Sequence, residues 1–252
     1  MATTPDQLLE QATRHSAHLE RVKSHEVKQL RSLLTSVQDD IRARLARDEI
    51  QDWTRDRLNR QLRAFEDITR QRFGQDMIPA LERSLRELAE TEADFEAKSL
   101  GQVVPDFNFE LPSPDQLRTA INTQPLQARG PLNGMLLEDV MEEWTDNQVK
   151  RTNRLIRAGF AAGETTGQVL TRMRQEGVPA DTRELEMIAR TSLQHVAVQA
   201  REQTWKANDD IVSRVRWTSV LDDRTSTVCQ SLDGTIHKIG EGPRPPILPN
   251  CR

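Results

Sequence analysis

Three side chains near the end of the sequence could bind a metal or support nucleophilic chemistry. They are Cys229, His237 and Cys251, and the chain contains no other cysteine. Tetrahedral zinc takes four thiolate or imidazole ligands in a closed structural site, and this stretch supplies only three. A nucleophilic cysteine would need a base that a third group orients, and no carboxylate stands at a spacing that would orient His237. We therefore predict no catalytic, cofactor-binding or metal-binding residue.

The elements that must position these side chains form a small β unit. Val215–Val220 alternates like a half-buried strand, and Asp222-Asp223 suits a turn, which Arg224 could lock through its planar guanidinium. Asp233-Gly234 is a hairpin-turn signal, so we expect Thr235–Ile239 to be the returning strand. Four prolines then impose an extended path that cannot join a central strand: Pro243, Pro245, Pro246 and Pro249.

The order of certain residues in this stretch resembles the signature of a known family. These residues are Asp222, Asp223, Arg224, Thr225, Cys229, Asp233, Gly234, Pro245, Pro246, Pro249, Asn250, Cys251 and Arg252. The set is similar to the signature of the Mu-F-like minor head proteins of tailed bacteriophages, the phage head morphogenesis family, over about residues 136–252. Two departures concern metal ligands. Leu248 stands where the family usually has His, and the further Cys that often follows the final Arg is missing.

The resemblance implies a structural minor capsid protein inside the phage head, associated with the portal. Such a protein would act in head morphogenesis and in DNA packaging or ejection, without a cofactor and without enzymatic activity. The implied partners are the portal protein and other capsid or scaffolding proteins, with self-association and proximity to packaged DNA also compatible. We expect it in the virion, and in the host cytoplasm during assembly. The alternative is a metal-dependent enzyme or nuclease centred on Cys229, His237 and Cys251.

The state of the two cysteines stays open on this interpretation. A Cys229–Cys251 disulfide could form because a virion leaves the reducing cell, whereas two reduced and mostly buried thiols are favoured for a chain made in the cytoplasm. In either case the extended proline segment should lead Cys251 back to Cys229. We expect their Cα atoms to lie closer than about 7 Å.

Composition limits the class of protein. The formal net charge is −4, charged residues make up 29% of the chain and aromatic residues 4%. This balance favours a helix-rich, solvated architecture and gives no sign of a phosphate-binding surface or a basic face. We expect no membrane span, because no apolar run approaches about 18 residues. We expect no secretory signal, because the N-terminus lacks a charged region followed by an apolar one.

The apolar pattern predicts long helices for most of the rest of the chain. Thr4 and Pro5 begin a helix that should run to about residue 47 with a narrow apolar stripe. The expected stripe positions are Leu8, Ala12, His15, Leu19, Val22, Leu30, Leu33, Val37, Ile41 and Leu45, and His15 would form a register-fixing polar layer. We expect Asp48 to cap a second helix and Gly74 to end it. A short helix should begin at Ser113, and later helices should be capped by Thr165 or Thr166 and by Asp181. The predicted fold class is mainly α with a small β unit. Its predicted domains are a coiled-coil-like rod at 1–100, a Pro-rich linker at 101–131 and an α+β Mu-F-like domain at 132–252.

Overall fold

The structure, a computed structural model, describes the chain at residues 4–223 and 225–249, and it is predominantly helical. The helices are α1 (Thr4–Leu45), α2 (Arg55–Arg72), α3 (Ile78–Val103), α4 (Pro114–Thr123), α5 (Leu137–Ala162), α6 (Thr166–Gln175), α7 (Thr182–Ala207) and α8 (Thr227–Leu232). A short 3-10 helix covers Ile50–Asp52, and a π-helical segment covers Phe73–Met77. Strands β1 (Arg214–Arg216) and β2 (Ile236–Lys238) form a two-stranded antiparallel sheet. The predicted fold class, mainly α with a small β unit, is confirmed.

The chain packs as two compact units, each assembled from separated segments. Unit 1 contains the residues up to His25, Arg83–Leu137 and the residues from Ile188 onward, whereas unit 2 contains Glu26–Glu82 and Glu138–Met187. This partition describes spatial packing. The predicted division into 1–100, 101–131 and 132–252 describes linear domains, and it stays a prediction that limited proteolysis can test.

Helix α1 carries the predicted apolar stripe, but two of its positions differ from the expected ones. The buried positions recur every three or four residues, as an amphipathic helix requires: His15, Leu19, Lys23, Val27, Leu30, Leu34, Val37, Ile41 and Leu45. Leu34 is fully buried where Leu33 was expected, and Lys23 is buried where Val22 was expected. Both corrections have the same form, because the buried series takes a step of four residues, from Leu19 to Lys23 and from Leu30 to Leu34, where a step of three was expected, and a period of 3.6 residues allows either.

The expected boundaries of the second helix were wrong at both ends. Thr54, not Asp48, caps α2, since the Thr54 side chain accepts a hydrogen bond from the backbone N–H of Arg57. Gly74 does not end the helix, because the π-helical segment continues directly into α3. Pro79 lies in the first turn of α3 and cannot donate to a carbonyl one turn back, and a π-helical turn just before it relieves that mismatch.

The Pro-rich stretch 101–131 is ordered and contributes buried side chains to unit 1. Its predicted short helix is α4, which begins with a complete capping box between Ser113 and Gln116. Leu126 and Ala128, further along the stretch, are almost fully buried. The backbone N–H of Arg129 donates to the carbonyl of Ile247 at 2.7 Å, so this stretch contacts the proline segment near the end of the chain.

None of the helices that the structure describes is both long enough and apolar enough to cross a membrane.

Candidate functional site

The candidate site is the C-terminal module, which we define as residues 212–249 without Arg224. In its sheet, Arg214 lies opposite Lys238, Val215 opposite His237, and Arg216 opposite Ile236. Two further hydrogen bonds extend the ladder by one residue pair, from Trp217 N to the Thr235 carbonyl at 2.8 Å and from Gly234 N to the Trp217 carbonyl at 2.9 Å. Side chains alternate as predicted, with Trp217 buried and Arg216 exposed. The regular strand is shorter than the expected Val215–Val220.

The two strands are not joined by the hairpin turn that Asp233-Gly234 predicted. Helix α8 lies between them, and Ser226 caps it by accepting a hydrogen bond from the backbone N–H of Cys229 at 3.2 Å. Asp233 is the C-cap of this helix, and Gly234 follows with a φ of +79°, a value that suits glycine. The Asp233 carboxylate also accepts from the backbone N–H of Ser219 at 2.8 Å. The dipeptide therefore ends a helix and ties it to the chain leaving β1.

The turn predicted at Asp222-Asp223 is present. The backbone N–H of Asp222 donates to Thr225 Oγ1 at 3.1 Å, and the backbone N–H of Thr225 donates to the Asp222 carbonyl at 3.0 Å. Thr225 Oγ1 also lies 3.1 Å from the Asp222 carboxylate. Arg224 lies outside the described residues, so its predicted contact with these carboxylates stays a prediction.

A small apolar cluster holds the module together. Trp217, Cys229 and Ile247 are its buried members, and Val228, Leu232 and Leu248 pack against them. The proline segment therefore does return across the β unit to Cys229, as expected from its extended path. Asn250 and Cys251 lie outside the described residues, and the predicted proximity of Cys229 and Cys251 stays a prediction.

His237 has a structural environment within the module. Its Nε2 lies 3.0 Å from Thr235 Oγ1, and that hydroxyl donates its own hydrogen to the Leu232 carbonyl at 2.6 Å. The hydroxyl can therefore only accept from the ring, which fixes a hydrogen on Nε2. On another side the ring meets Gly242, where a Cβ atom would stand 2.5 Å from Nδ1. Gly242 also has a φ of +80°, so both space and backbone conformation favour glycine there.

The alternative interpretation, a metal-dependent enzyme or nuclease centred on Cys229, His237 and Cys251, finds no support in the geometry of the first two side chains. Cys229 belongs to an apolar cluster, whereas the His237 ring hydrogen-bonds the Thr235 hydroxyl and packs against Gly242. Among the described residues no group of three His, Cys, Asp or Glu side chains could hold a metal ion.

A nearly buried ion pair attaches the module to helix α7. Arg244 Nε donates to Glu202, and both side chains are close to fully buried. Lys206 Nζ approaches the other carboxylate oxygen of Glu202 at 2.9 Å. Burial raises the pKa of Glu202, but the hydrogen bonds from Arg244 and Lys206 outweigh that effect and hold the pKa below its usual value. No sequence pattern predicts this pair, because Arg244 stands between prolines and no periodicity connects it to α7.

Comparison with known proteins agrees with the resemblance noted in the sequence. Residues 150–252 match the family model described as Phage Mu protein F like protein. The C-terminal part of this chain is a Mu F-like domain. This family indicates a phage head morphogenesis protein and a location in the virion. A comparison with curated proteins found no match, and a comparison with solved structures found none either.

Helix α7 of the Mu F-like domain is buried over an unusual length, since every residue from Thr191 to Ala200 is buried. Just beyond it, Arg201 Nε donates to Glu92 at 2.7 Å, and the other oxygen of Glu92 lies 2.6 Å from His15 Nε2. His15 also stacks on Phe95, with ring centroids 3.5 Å apart. The predicted polar layer at His15 is therefore present, and α1, α3 and α7 each contribute to it.

The two carboxylates of this layer differ in their protonation behaviour. Burial raises the pKa of Glu92, but the hydrogen bond from His15 and the charge of Arg201 bring it below its usual value. Burial also raises the pKa of Glu96, and there it prevails over the charge of Arg201 and the hydrogen bond from Trp205. The Trp205 indole N–H donates to Glu96 at 2.7 Å, which is a bond that a protonated or an ionised carboxyl can accept.

Proposed function

We propose that this protein is a structural minor capsid protein of a tailed bacteriophage, associated with the portal inside the head. It acts there in head morphogenesis and in the packaging or ejection of DNA. The observation that carries the proposal is the match of residues 150–252 to the Phage Mu protein F like family. The long charged helices agree with it, because amphipathic helices commonly mediate contacts in assemblies.

The polar side chains in and beside the module support a non-catalytic role, because they are engaged in structural contacts. The His237 ring is held by Thr235, and Glu202 is neutralised by Arg244. Asp222 and Thr225 complete a turn. Each of these groups performs a structural task in or beside the module.

The surface of the module that fits a protein partner is a set of exposed apolar side chains. Val220, Leu221 and Ile236 are 46%, 65% and 61% exposed, respectively. Interfaces between proteins depend on a few apolar anchors that are buried on association. We propose that these three side chains contact the portal protein.

The test is capture of the full chain on the tagged portal protein of the same phage after co-expression. We expect the wild-type chain to be retained on portal rings. The double variant Leu221→Glu, Ile236→Glu should bind at least about tenfold more weakly, equivalent to about 1.4 kcal/mol. The matched control Leu9→Glu, Leu111→Glu changes two other exposed leucines and should bind like wild type.

Two results would count against the proposal. A wild-type chain that never copurifies with portal rings would remove the portal association. Equal retention of the module variant and its control would leave that association standing but would exclude this surface.

A further inference from the structure

A groove in unit 2 concentrates positive charge on a chain whose net charge is negative. It has a volume of about 460 Å³, and residues of α2 and α5 line it. Arg60 and Arg63 of α2 and Arg157 of α5 are exposed along its walls. We call this feature the arginine groove. Lys150 and Arg154 are also exposed, and they precede Arg157 by seven and three residues, so they continue the basic stripe along one side of α5.

The charges of the groove are available to a ligand. Glu66, one of its two acidic lining residues, is already engaged by Arg70 at 2.9 Å. Arg70 in turn reaches Asp146 at 2.8 Å. Arg60, Arg63 and Arg157 form no ion pair with any described residue. Three exposed guanidinium groups therefore converge on one groove with Asp56 as the remaining opposing charge.

The composition of the lining decides between classes of ligand. Its apolar member, Leu62, is almost fully buried, so the groove offers no exposed apolar anchor of the kind that a protein partner needs. The lining contains no aromatic ring on which the bases of a single strand could stack. Guanidinium groups match phosphate oxygens through paired N–H donors, and such contacts require no sequence readout.

We propose that the arginine groove binds the phosphate backbone of duplex DNA without sequence preference. The net charge of the chain is −4, so its surface as a whole does not attract a polyanion. The binding is therefore restricted to the groove and the basic stripe beside it. This inference deepens the proposed role in DNA packaging or ejection and rests on that role, whereas attachment to a portal would not require the groove.

The experiment measures binding of the purified full chain to a fluorescently labelled 30-base-pair duplex of random sequence at several salt concentrations. The variant is Arg60→Gln, Arg63→Gln, Arg157→Gln. The matched control is Arg83→Gln, Arg174→Gln, Arg214→Gln, which removes the same charge from three other exposed arginines. Circular dichroism and thermal melting check that each protein is folded. The double variant Arg60→Gln, Arg63→Gln supplies the test if the triple variant does not fold.

We expect the groove variant to lower the slope of log affinity against log salt by about 2.7, at about 0.9 for each lost phosphate contact. Its affinity at 0.1 M salt should fall on the order of 100-fold, while the control should stay within a few-fold of wild type. The double variant should show about two-thirds of this change in slope, because it removes two of the three arginines.

Three outcomes would overturn the proposal. The first is no binding of the wild-type chain to duplex DNA at 50 mM salt. The second is an equal loss in the groove variant and its control, which would show only a general charge effect. The third is displacement of DNA by polyglutamate at equal charge concentration, which would identify an acidic protein as the better ligand. All three are measured without the portal protein, so they are independent of the portal test.

Discussion

His195 should make the stability of unit 1 depend on pH. It lies in α7 and is 2% exposed, and its ring hydrogen-bonds the backbone of Gln124. Its Nε2 has no partner among the described residues, so the bond to Gln124 uses Nδ1. Burial lowers the pKa of His195 to about 4, although the bond to Gln124 acts in the opposite direction. Protonation would place a second N–H in a buried position with no acceptor, which explains why the neutral ring is retained.

The direction of the effect follows from the two pKa values. The unfolded chain binds a proton at His195 below about pH 6.5, whereas the folded chain does so only below about pH 4. Folding is therefore disfavoured progressively as the pH falls through this window. The expected loss is about 2 kcal/mol at pH 5 and about 3 kcal/mol at pH 4, approaching a limit of about 3.4 kcal/mol.

The assay is urea unfolding of the wild-type chain and of His195→Asn at pH 7.5, 6, 5 and 4. Asparagine can keep a donor near the Gln124 carbonyl, but it does not titrate, so its cost in packing should be the same at every pH. We expect the wild-type chain to lose about 3 kcal/mol more than the variant between pH 7.5 and pH 4. The comparison cancels the titration of Glu92, Glu96 and Glu202, which both proteins share.

Parallel stability profiles for the two proteins would refute this reasoning. They would mean that the folded chain protonates His195 as readily as the unfolded chain does, and that the ring reaches an acceptor or solvent. If the wild-type chain gained stability relative to the variant as the pH fell, even the predicted direction of the effect would be wrong.

Three other predictions concern packing. Leu34→Asp should destabilise unit 2 by about 4 kcal/mol or more, because it buries a charge in the α1 stripe, while Leu33→Asp at its half-buried neighbour should cost less than half as much by chemical denaturation. Gly242→Ala should destabilise the C-terminal module more than Gly240→Ala, since both have positive φ but only the first would clash with a histidine ring; thermal melting measures the difference. Glu202→Gln should weaken hydrogen-exchange protection of the proline segment by about 3 kcal/mol, because it leaves a nearly buried arginine without its counter-charge.

Local signals in the sequence predicted the elements that depend on neighbouring residues. Thr165 begins α6 with a capping box, and Asp181 accepts from the backbone N–H of Arg183 at the start of α7, as expected. The capping box at Ser113 was equally informative. These signals succeed because the donor and the acceptor lie within three residues of each other, so tertiary structure has little influence on them.

The failures have a physical cause in tertiary context. Glycine is a poor helix former because its backbone loses the most conformational freedom, yet the chain passes through Gly74 as a helix because Phe73 and Met77 on either side are fully buried. Asp233-Gly234 matched a hairpin turn, but the same dipeptide also ends α8 well. The pair formed by Arg244 and Glu202 was beyond prediction, since its members lie 42 residues apart without any periodic relation.

The segmented composition of unit 1 sets the order in which it can form during synthesis. Lys23 bonds Gln194 across 171 residues, and Arg201 bonds Glu92 across 109. A ribosome must therefore deliver α7 before Lys23 and Glu92 find their partners on that helix, and it must deliver Arg244 before the Arg244–Glu202 pair can form. Until then the nascent chain exposes Lys23 and Glu92 to water, where neither carries a desolvation penalty. Unit 1 can thus complete its tertiary packing only late in translation, so its folded surface forms after most of the chain has been made.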